Sequence, residues 1–578
     1  MYIDVVPNRN SPPAVLLRES RRVGGRTIKS TLANLSALPE EAVAALRVVL
    51  KGGRLVEAGE QFSIESSLPC GHVQAVKLAM QRLRMAELIA SKPSPERDAV
   101  LALVAQRIVR PGSKLESAAL FANTTLAKEY GVEGIDENAL YAAMDWVVAR
   151  QPFIERKLAK RHLQDGSTVF YDVSSSSYYG HHCPLALRGH NRDGLKLPSI
   201  VYGLLTDHDG RPVAIRVYPG NTADPVTVPD QVNALREAFG IGRFVLVGDR
   251  GMLTNTQIDR LRELSGCGWV SCLRSSDIRK LLASHDPSDA PLFTQGNLAE
   301  ITHPDFPGER LVACFNSLLA KDRTRTRVEL LDATERLLEK LSKQITRRTQ
   351  KPLSAAEIGV KAGRLINKYK VAKHFTLEIG EGCLNWSRKT EEIAREQALD
   401  GIYIVRTSET AEALTGPDAV RAYKRLGNVE KAFRTYKGVD LSIRPIHHRL
   451  EDRVRAHALL CTLAYYVEWH MRQVWAPLMY ADEELDFNRA TRDPVAKACP
   501  SPEVKRKRAT QESSDGLHLR RWDGILNALA TRTRNTCRIG EGKTLVRFTR
   551  DTELDAFQAR AFALLQANGP CWPQICAQ

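Results

Sequence analysis

The most constraining stretch of the chain is a β-rich run with one carboxylate in its middle. Residues 168–178 read TVFYDVSSSSY, and Asp172 stands there between Val-Phe-Tyr and Val. Turns gather Gly, Pro, Asn and Asp, so these apolar neighbours predict a strand and not a turn. A carboxylate inside an apolar strand costs free energy unless a cation meets it. The run therefore predicts that Asp172 contacts either a basic side chain or a divalent metal ion.

Length and charge narrow the class of protein. The 578 residues predict about three or four domains of ~150 residues each. A formal net charge of +16 favours a polyanionic partner: nucleic acid, a ribosome or an acidic membrane surface. No apolar run approaches the length of a membrane span, and Met1–Pro7 lacks a signal-peptide pattern. We therefore expect a cytoplasmic protein without a membrane partner.

The cysteines predict neither disulfides nor zinc. Eleven of them are scattered without a CxxC pair, which is typical of reduced, mostly buried thiols. One cluster could be considered for zinc, but it lacks the paired spacing of a tetrahedral site. Its members are His181, His182, Cys183 and His190.

The first 165 residues predict two parts. Residues 1–60 mix short β-like pieces with basic ones and form a small basic module. Residues 61–165 have helical periodicity interrupted by Pro93, Pro95 and Pro111-Gly112. This helical domain could hold a DNA-binding helix-turn-helix or could simply support its neighbours.

Residues 166–250 predict the first part of an RNase H-like core. After the Asp172 strand come two further strands, 199–205 and 213–217, joined by the turn Asp207-His208-Asp209-Gly210. A helical stretch from Asp224 to Phe239 then leads to an almost wholly apolar strand that finishes on Asp249. In such a core the two acidic strands are neighbours, so Asp172 and Asp249 would meet although 77 positions separate them. Two repelling carboxylates make sense with cations between them, while the alternative for Asp249 is a helix N-cap before residues 254–256.

Four motifs, in this order, carry a resemblance to a known family. They are Tyr171-Asp172-Val173-Ser174, Gly220-Asn221-Thr222-Ala223-Asp224, Val247-Gly248-Asp249-Arg250-Gly251-Met252, and the spaced Tyr423, Glu430 and Lys437. Together they resemble the DDE transposases of bacterial insertion sequences. More narrowly, they are similar to the branch with a long insertion before the catalytic Glu and a Tyr-Arg-Glu-Lys helix.

The resemblance implies a third acid, Glu430, on a helix opened by Gly416-Pro417-Asp418. Tyr423, Glu430 and Lys437 are spaced by seven, so one helix would present all three on one face. The family's Arg three residues after the tyrosine is Leu426 here, which puts one phosphate contact in doubt. The alternative for Glu430 is a solvent-exposed pair with Arg434.

The resemblance also implies the remaining division of the chain. Residues 251–400 would be an insertion domain, and residues 401–475 would complete the core. In the insertion, Leu331, Leu338, Leu341 and Ile345 predict a helix that packs on another helix. Its basic residues, 340–351, could contact DNA or solvent, and Trp386 could stack on an unpaired base or pack in a core. Residues 476–578 would be a helical and basic C-terminal region, with a flexible basic arm over 503–550.

The implied function is metal-dependent cleavage and strand transfer at the ends of the protein's own insertion sequence. Asp172, Asp249 and Glu430 would hold two Mg²⁺ ions, for which Mn²⁺ can substitute. DNA ends and target DNA would be the partners, synapsis would need a homodimer, and the DNA-bound protein would be associated with the bacterial nucleoid. We expect DNA contacts from Tyr423, Lys437, Arg434, Arg250, Asn221, Arg444 and His448.

Two other classes stay open. An RNase H-like nuclease would keep the acidic triad without strand transfer, and a catalytically inactive DNA-binding regulator would keep only the basic surface. A glycosidase with two carboxylates fits less well, because it explains neither the charge of +16 nor the third acid.

Overall fold

The computed structural model describes residues 1–9, 11–23, 25–53, 62–283, 297–539, 545–569 and 572. The chain divides into two compact units. The smaller unit comprises Met1–Cys70 and Thr531–Glu553, and the larger one comprises Gly71–Ala530 and Leu554–Gln578. The N-terminal part of the smaller unit holds the antiparallel sheet β1-β2-β3, a helix and a further strand. Their bounds are β1 (Tyr2–Val6), β2 (Ala14–Val23), β3 (Arg26–Asn34), α1 (Glu40–Leu50) and β4 (Phe62–Pro69).

The larger unit begins with helices, as the periodicity predicted. They are α2 (Gly71–Arg82), α3 (Met85–Ile89), α4 (Pro95–Val109), α5 (Lys114–Ala122), α6 (Leu126–Tyr130), α7 (Glu137–Val148) and α8 (Gln151–His162). Ten consecutive residues of α4, from Ala99 to Ile108, are buried. A helix buried on every side cannot present side chains to a DNA groove. Helix α4 is therefore not the recognition helix of a helix-turn-helix.

The predicted meander and buried fourth strand are present. The elements are β5 (Ser167–Ser177), β6 (Ser199–Thr206), β7 (Pro212–Pro219), α9 (Val228–Asn233), β8 (Phe244–Val247), α10 (Asn255–Arg262), β9 (Cys267–Cys272), α11 (Ser275–Ala283), β10 (Leu298–Ile301) and β11 (Arg310–Phe315). Strands β5, β6 and β7 are antiparallel neighbours, while β8 runs parallel to β5 on one side and to β9 on the other. The order β7-β6-β5-β8-β9 is consistent with an RNase H-like core.

A separate layer of helices and a hairpin follows. It consists of α12 (Ser317–Thr346), α13 (Ala355–Lys368), β12 (Phe375–Gly380), β13 (Cys383–Arg388) and α14 (Thr390–Gln397). The predicted seam of α12 is confirmed, because Leu331, Leu338, Leu341 and Ile345 are buried and pack against α13. Trp386 lies on β13 and packs against the same cluster, which favours its core role.

The central sheet is completed by the chain after this layer. Strand β14 (Ile402–Thr407) is followed by α15 (Gly416–Arg425), α16 (Gly427–Lys437) and α17 (Glu451–Val474). The full sheet has eight strands in the order β10-β11-β14-β9-β8-β5-β6-β7. The predicted insertion of residues 251–400 was therefore too wide, because β9, β10 and β11 belong to this sheet. Helix α17 is buried along most of its length.

The C-terminal region is folded where it is described. It contains α18 (Leu485–Thr491), α19 (Pro502–Thr510), α20 (Trp522–Ala530), β15 (Thr533–Ile539), β16 (Val546–Asp551) and α21 (Ala556–Gln566). Strand β15 pairs with both β16 and β4, so this part of the predicted basic region belongs to the smaller unit. The predicted flexible arm over 503–550 is wrong for its described residues. No helix among the described residues is long and apolar enough to cross a membrane.

Candidate active site

Strand register places Asp172 and Asp249 side by side. In the parallel pair β5–β8, Phe170 lies opposite Val247. Asp172 and Asp249 each stand two residues further along their own chain, so they are level with each other at the carboxyl end of β8. Both side chains are partly buried. The predicted meeting of these two acids is confirmed.

Backbone amides fix the orientation of Asp249. Its Oδ1 accepts hydrogen bonds from the amides of Gly251 at 3.0 Å and Met252 at 2.7 Å. These bonds cap the turn that directly follows β8. The N-cap position of α10 belongs to Thr254, so the alternative role of Asp249 as the cap of that helix is wrong.

Glu430 reaches the same region from the first turn of α16. Its side chain is exposed, and among the described residues it has no hydrogen-bond or ion-pair partner. In particular, it forms no ion pair with Arg434. A carboxylate at this position gains from the positive end of the helix dipole.

Electrostatics join the three acids. Burial, together with the carboxylates of Asp249 and Glu430, raises the pKa of Asp172 from an ordinary value of 3.8 to about 7. The amide of Val173 and the guanidinium of Arg192 act in the opposite direction. Like charges that destabilise each other's ionised form are a feature of sites that bind cations.

The only tight carboxylate cluster in the described part of the chain lies elsewhere. Asp207, His208 and Asp209 have ligand atoms within 4.8 Å of one another, whereas the three acids of the site do not all approach so closely. Arg211 pairs with Asp207 and with Asp209, each at 2.6 Å. These residues form the predicted turn between β6 and β7, and Arg211 neutralises their charge. The cluster therefore stabilises a turn. His181, His182, Cys183 and His190, the residues considered for zinc, form no such group among the described residues.

Arg192 is a cation of the site that sequence reasoning missed. Its amide donates to Ser175 Oγ at 3.0 Å, and its guanidinium pairs with Asp224 at 2.5 Å. Asp224 is the last residue of the 220–224 motif, so Arg192 links that motif to β5. Arg192 also brings positive charge to Asp172. The Asn-Arg-Asp-Gly sequence around it is typical of an ordinary turn, and nothing local marks it.

Asp193, the next residue, fixes two predicted DNA contacts. It accepts from Lys437 Nζ at 3.2 Å, from Arg444 Nη1 at 2.8 Å and from the Ser177 amide at 2.8 Å. Its side chain is 4% exposed. Burial acts to raise the pKa of Asp193, but the Ser177 amide and Lys437 outweigh burial and lower it. An ionised Asp193 therefore holds Lys437 beside the end of β5.

Residues 167–467, more than half of the chain, match the family model described as the transposase DDE domain. The chain belongs to the DDE transposase family. The match begins at the first residue of β5 and ends within α17, so it contains Asp172, Asp249 and Glu430. Curated proteins give no match to this transposase.

The helix that carries Glu430 departs from the prediction. Helices α15 and α16 meet at Leu426, where the amide bonds to the Tyr423 carbonyl three residues back. Tyr423 therefore lies on α15, while Glu430 and Lys437 lie on α16. Leu426 is 6% exposed and packs in the main core of the transposase. A side chain buried there cannot contact a phosphate.

Tyr423 still lies near the acids. Burial, Cys272 and Asp249 together raise the pKa of the Tyr423 phenol. The side chain is partly buried and packs against the main core, so a structural role and a contact role are compatible.

The other predicted DNA contacts are dispersed. Arg434 and Asn221 are exposed, with Asn221 just beyond the end of β7. Arg250 is exposed directly after Asp249 and lines a cavity of about 510 Å³ shared with α11, α12 and residues near 370. His448 is partly buried, and burial followed by Lys114 lowers its pKa to about 3. A neutral His448 does not supply a positive charge to DNA.

Proposed function

We propose that this DDE transposase binds the ends of its own mobile element, cuts DNA strands there and joins them to target DNA. The observation that supports the proposal is the electrostatic effect of Asp249 and Glu430 on Asp172. The three acids come from β5, the end of β8 and α16. Structural ion pairs do not explain this arrangement, because Glu430 has no basic partner among the described contacts. A site for cations does explain it.

The donor set fits divalent magnesium. Three carboxylates offer the hard oxygen ligands that Mg²⁺ prefers, and Mn²⁺ accepts the same ligands. The pKa of Asp172 is raised by burial and by the Asp249 and Glu430 carboxylates in spite of Arg192, and a bound cation would offset these effects. When bound, two such ions would activate a water or 3′-hydroxyl nucleophile and stabilise the leaving oxygen of an in-line displacement at phosphorus.

The protein's own residues would position the DNA strand. Lys437, which pairs with Asp193, places a positive charge at the carboxyl end of α16. The same helix carries Glu430 in its first turn. Arg192 places another positive charge beside Asp172. Contacts between DNA phosphates and these two cations would hold the scissile phosphate at the three acids. A displacement of that phosphate by ~1 Å can cost a hundredfold in rate.

Cleavage and joining require the same arrangement, because the two reactions differ only in their nucleophile. Joining both element ends at once requires two copies of the site, and we propose a homodimer at that stage. A nuclease of the same fold would cut without joining, and a regulator would bind without cutting.

One experiment separates these classes. Purified transposase is mixed with labelled element-end DNA, a target plasmid and Mg²⁺, with an EDTA sample as the control. Joined product in Mg²⁺, with binding but no reaction in EDTA, supports the proposal. Cut but unjoined DNA favours the nuclease, and bound, unchanged DNA in both samples favours the regulator.

A further inference from the structure

A second basic cavity lies in the larger unit, outside the group of three acids. Its volume is about 790 Å³, and it lies between α4, the start of α5, α7 and the segment 442–450 that leads into α17. Five cationic side chains and one carboxylate line it. They are Arg107, Lys114, Arg444, Arg449, Arg453 and Glu116.

Two of these cations are buried without an acid. Lys114 is 4% exposed, and among the described residues it makes no hydrogen bond or ion pair. Arg107 is 5% exposed and reaches only the carbonyls of Leu441 at 3.3 Å and Ser442 at 3.4 Å. Burying a charge without a partner is costly, and the two cations also repel each other.

The backbone adds to this excess of positive charge. Lys114 is the first residue of α5, where the helix dipole disfavours a cation. Leu450, which precedes the first turn of α17, also lines the cavity. Two helix N-termini and two unpaired buried cations therefore converge on one space.

The acids near the cavity do not compensate for Lys114. Glu116 is directed to Arg110 at 3.9 Å, Arg453 pairs with Asp145 at 3.2 Å, and Arg444 pairs with Asp193 at 2.8 Å. Buried His457 donates from Nε2 to the Ile443 carbonyl at 2.8 Å, which leaves its Nδ1 without a partner. Burial, followed by the neighbouring Arg107, lowers the pKa of Lys114 to about 7.

We propose that this cavity binds a phosphate group, with Lys114 and Arg107 as its buried ligands. The group is either a backbone phosphate of the bound DNA strand or a free phosphate. A DNA phosphate as the ligand rests on the proposed function. It is favoured because Arg444 lines the cavity and also pairs with Asp193, which binds Lys437 of the candidate active site. The phosphate chemistry itself depends on neither cleavage nor metal.

The first test uses inorganic phosphate alone. Thermal unfolding of the full chain is followed in sodium phosphate and in sodium chloride of equal ionic strength. Relative to chloride, phosphate should raise the Tm of the wild type more than that of Lys114→Met, because exclusion of phosphate from the surface stabilises both proteins alike. Calorimetry should show at least tenfold weaker phosphate binding for Lys114→Met. An equal gain from phosphate in both proteins would overturn the proposal.

The stability of the variants supplies the second readout. In chloride, Lys114→Met should raise the Tm, because it removes a buried charge that has no partner. Lys507→Met is the matched control: Lys507 is 1% exposed but bonds to Glu483 at 2.6 Å and to two carbonyls at 3.1 Å, so its loss should lower the Tm. A Lys114→Met protein that is destabilised like the control would make Lys114 an ordinary structural residue and would refute the site.

The source of the phosphate is tested with element-end DNA in EDTA. Single methylphosphonate substitutions remove one phosphate charge at a time. If one position weakens binding to the wild type but not to Lys114→Met, the ligand is a DNA phosphate. If no position does so while inorganic phosphate still binds, the ligand is a free phosphate and the site stands. Failure of DNA binding altogether would contradict the proposed function and leave the phosphate result intact.

Discussion

Replacing Asp172 with Asn should stabilise the metal-free protein at alkaline pH. The folded-state pKa of Asp172 is raised from 3.8 to about 7, so folding becomes more costly as pH rises through this window. About three pKa units at ~1.36 kcal/mol each give a cost of about 4 kcal/mol above pH 7. The amide has no charge to bury and removes that cost.

The sign of the effect sets the pH dependence. Because the pKa is raised, the destabilisation is absent below pH 3.8, grows between 3.8 and about 7, and is constant above that. At pH 5 the gain from Asp172→Asn should therefore be less than half of the gain at pH 8. Taking roughly 480 residues of the larger unit as one cooperative unit, ~4 kcal/mol corresponds to about 4 °C in Tm.

Scanning fluorimetry in EDTA at pH 5 and pH 8 measures this shift. Asp193→Asn is the matched control, since the pKa of Asp193 is lowered and its loss should decrease the Tm. Mg²⁺ should raise the Tm of the wild type and have a smaller effect on Asp172→Asn. If Asp172→Asn lowers the Tm at pH 8 as Asp193→Asn does, the folded protein does not disfavour ionised Asp172 and the reasoning is refuted.

Three further predictions concern the surroundings of the acids. Lys437→Ala should slow single-turnover cleavage at least tenfold more than it weakens end-DNA binding, and Asp193→Asn should act in the same direction because Asp193 holds Lys437 at 3.2 Å; equal losses in rate and affinity would remove Lys437 from the reacting strand. Leu426→Arg should lower the Tm by at least as much as Asp193→Asn, because the 6% exposed leucine would be replaced by a buried, unpaired charge; an unchanged Tm with tighter DNA binding would restore the family contact. Arg250→Ala should weaken end-DNA binding and reduce the slope of log affinity against log salt by about 1; an unchanged slope would mean that Arg250 does not contact DNA.

Local patterns sufficed for the elements nearest the acids. The apolar run 244–247 and the strand around Asp172 have signatures of buried strands. That β5 and β8 are neighbours followed from the RNase H-like order of three strands, a helix and a fourth strand. The leucines of α12 recur at helical spacing, so it was predictable that this helix packs against another helix, which the structure shows to be α13. These features depend on periodicity within short windows.

Long-range pairing was not predictable in the same way. Strands β10 and β11 precede α12 in the chain but join β14, which follows α14, and no local pattern specifies that register. Lys507 lies in a run of four basic residues, which is typical of a solvated arm. Its side chain is instead buried and donates to the carbonyls of Ala476 and Ala481 and to Glu483. Arg192 and Asp193 reach the acids through a loop whose composition is that of a common turn.

The helix break at Leu426 has a similar origin. Spacing by seven predicted one continuous face, but α15 ends and α16 begins at a buried leucine, Leu426. Packing of Leu426 into the core overrode the helical periodicity. The relation between Tyr423 and Glu430 is therefore set by tertiary contacts.

The most direct test of the account is single-turnover cleavage by Glu430→Gln at saturating end DNA and Mg²⁺. Glu430 lies farthest along the chain from the other two acids, and its side chain has no partner among the described residues, so the role proposed for it is to hold the metal ions. The control is Glu391→Gln, which makes the same change at a carboxylate that is 86% exposed on α14. The account predicts that Glu430→Gln binds DNA at least as tightly as the wild type but does not cut it, while Glu391→Gln cuts normally. A Glu430→Gln protein that cuts at the wild-type rate would contradict the three-acid site.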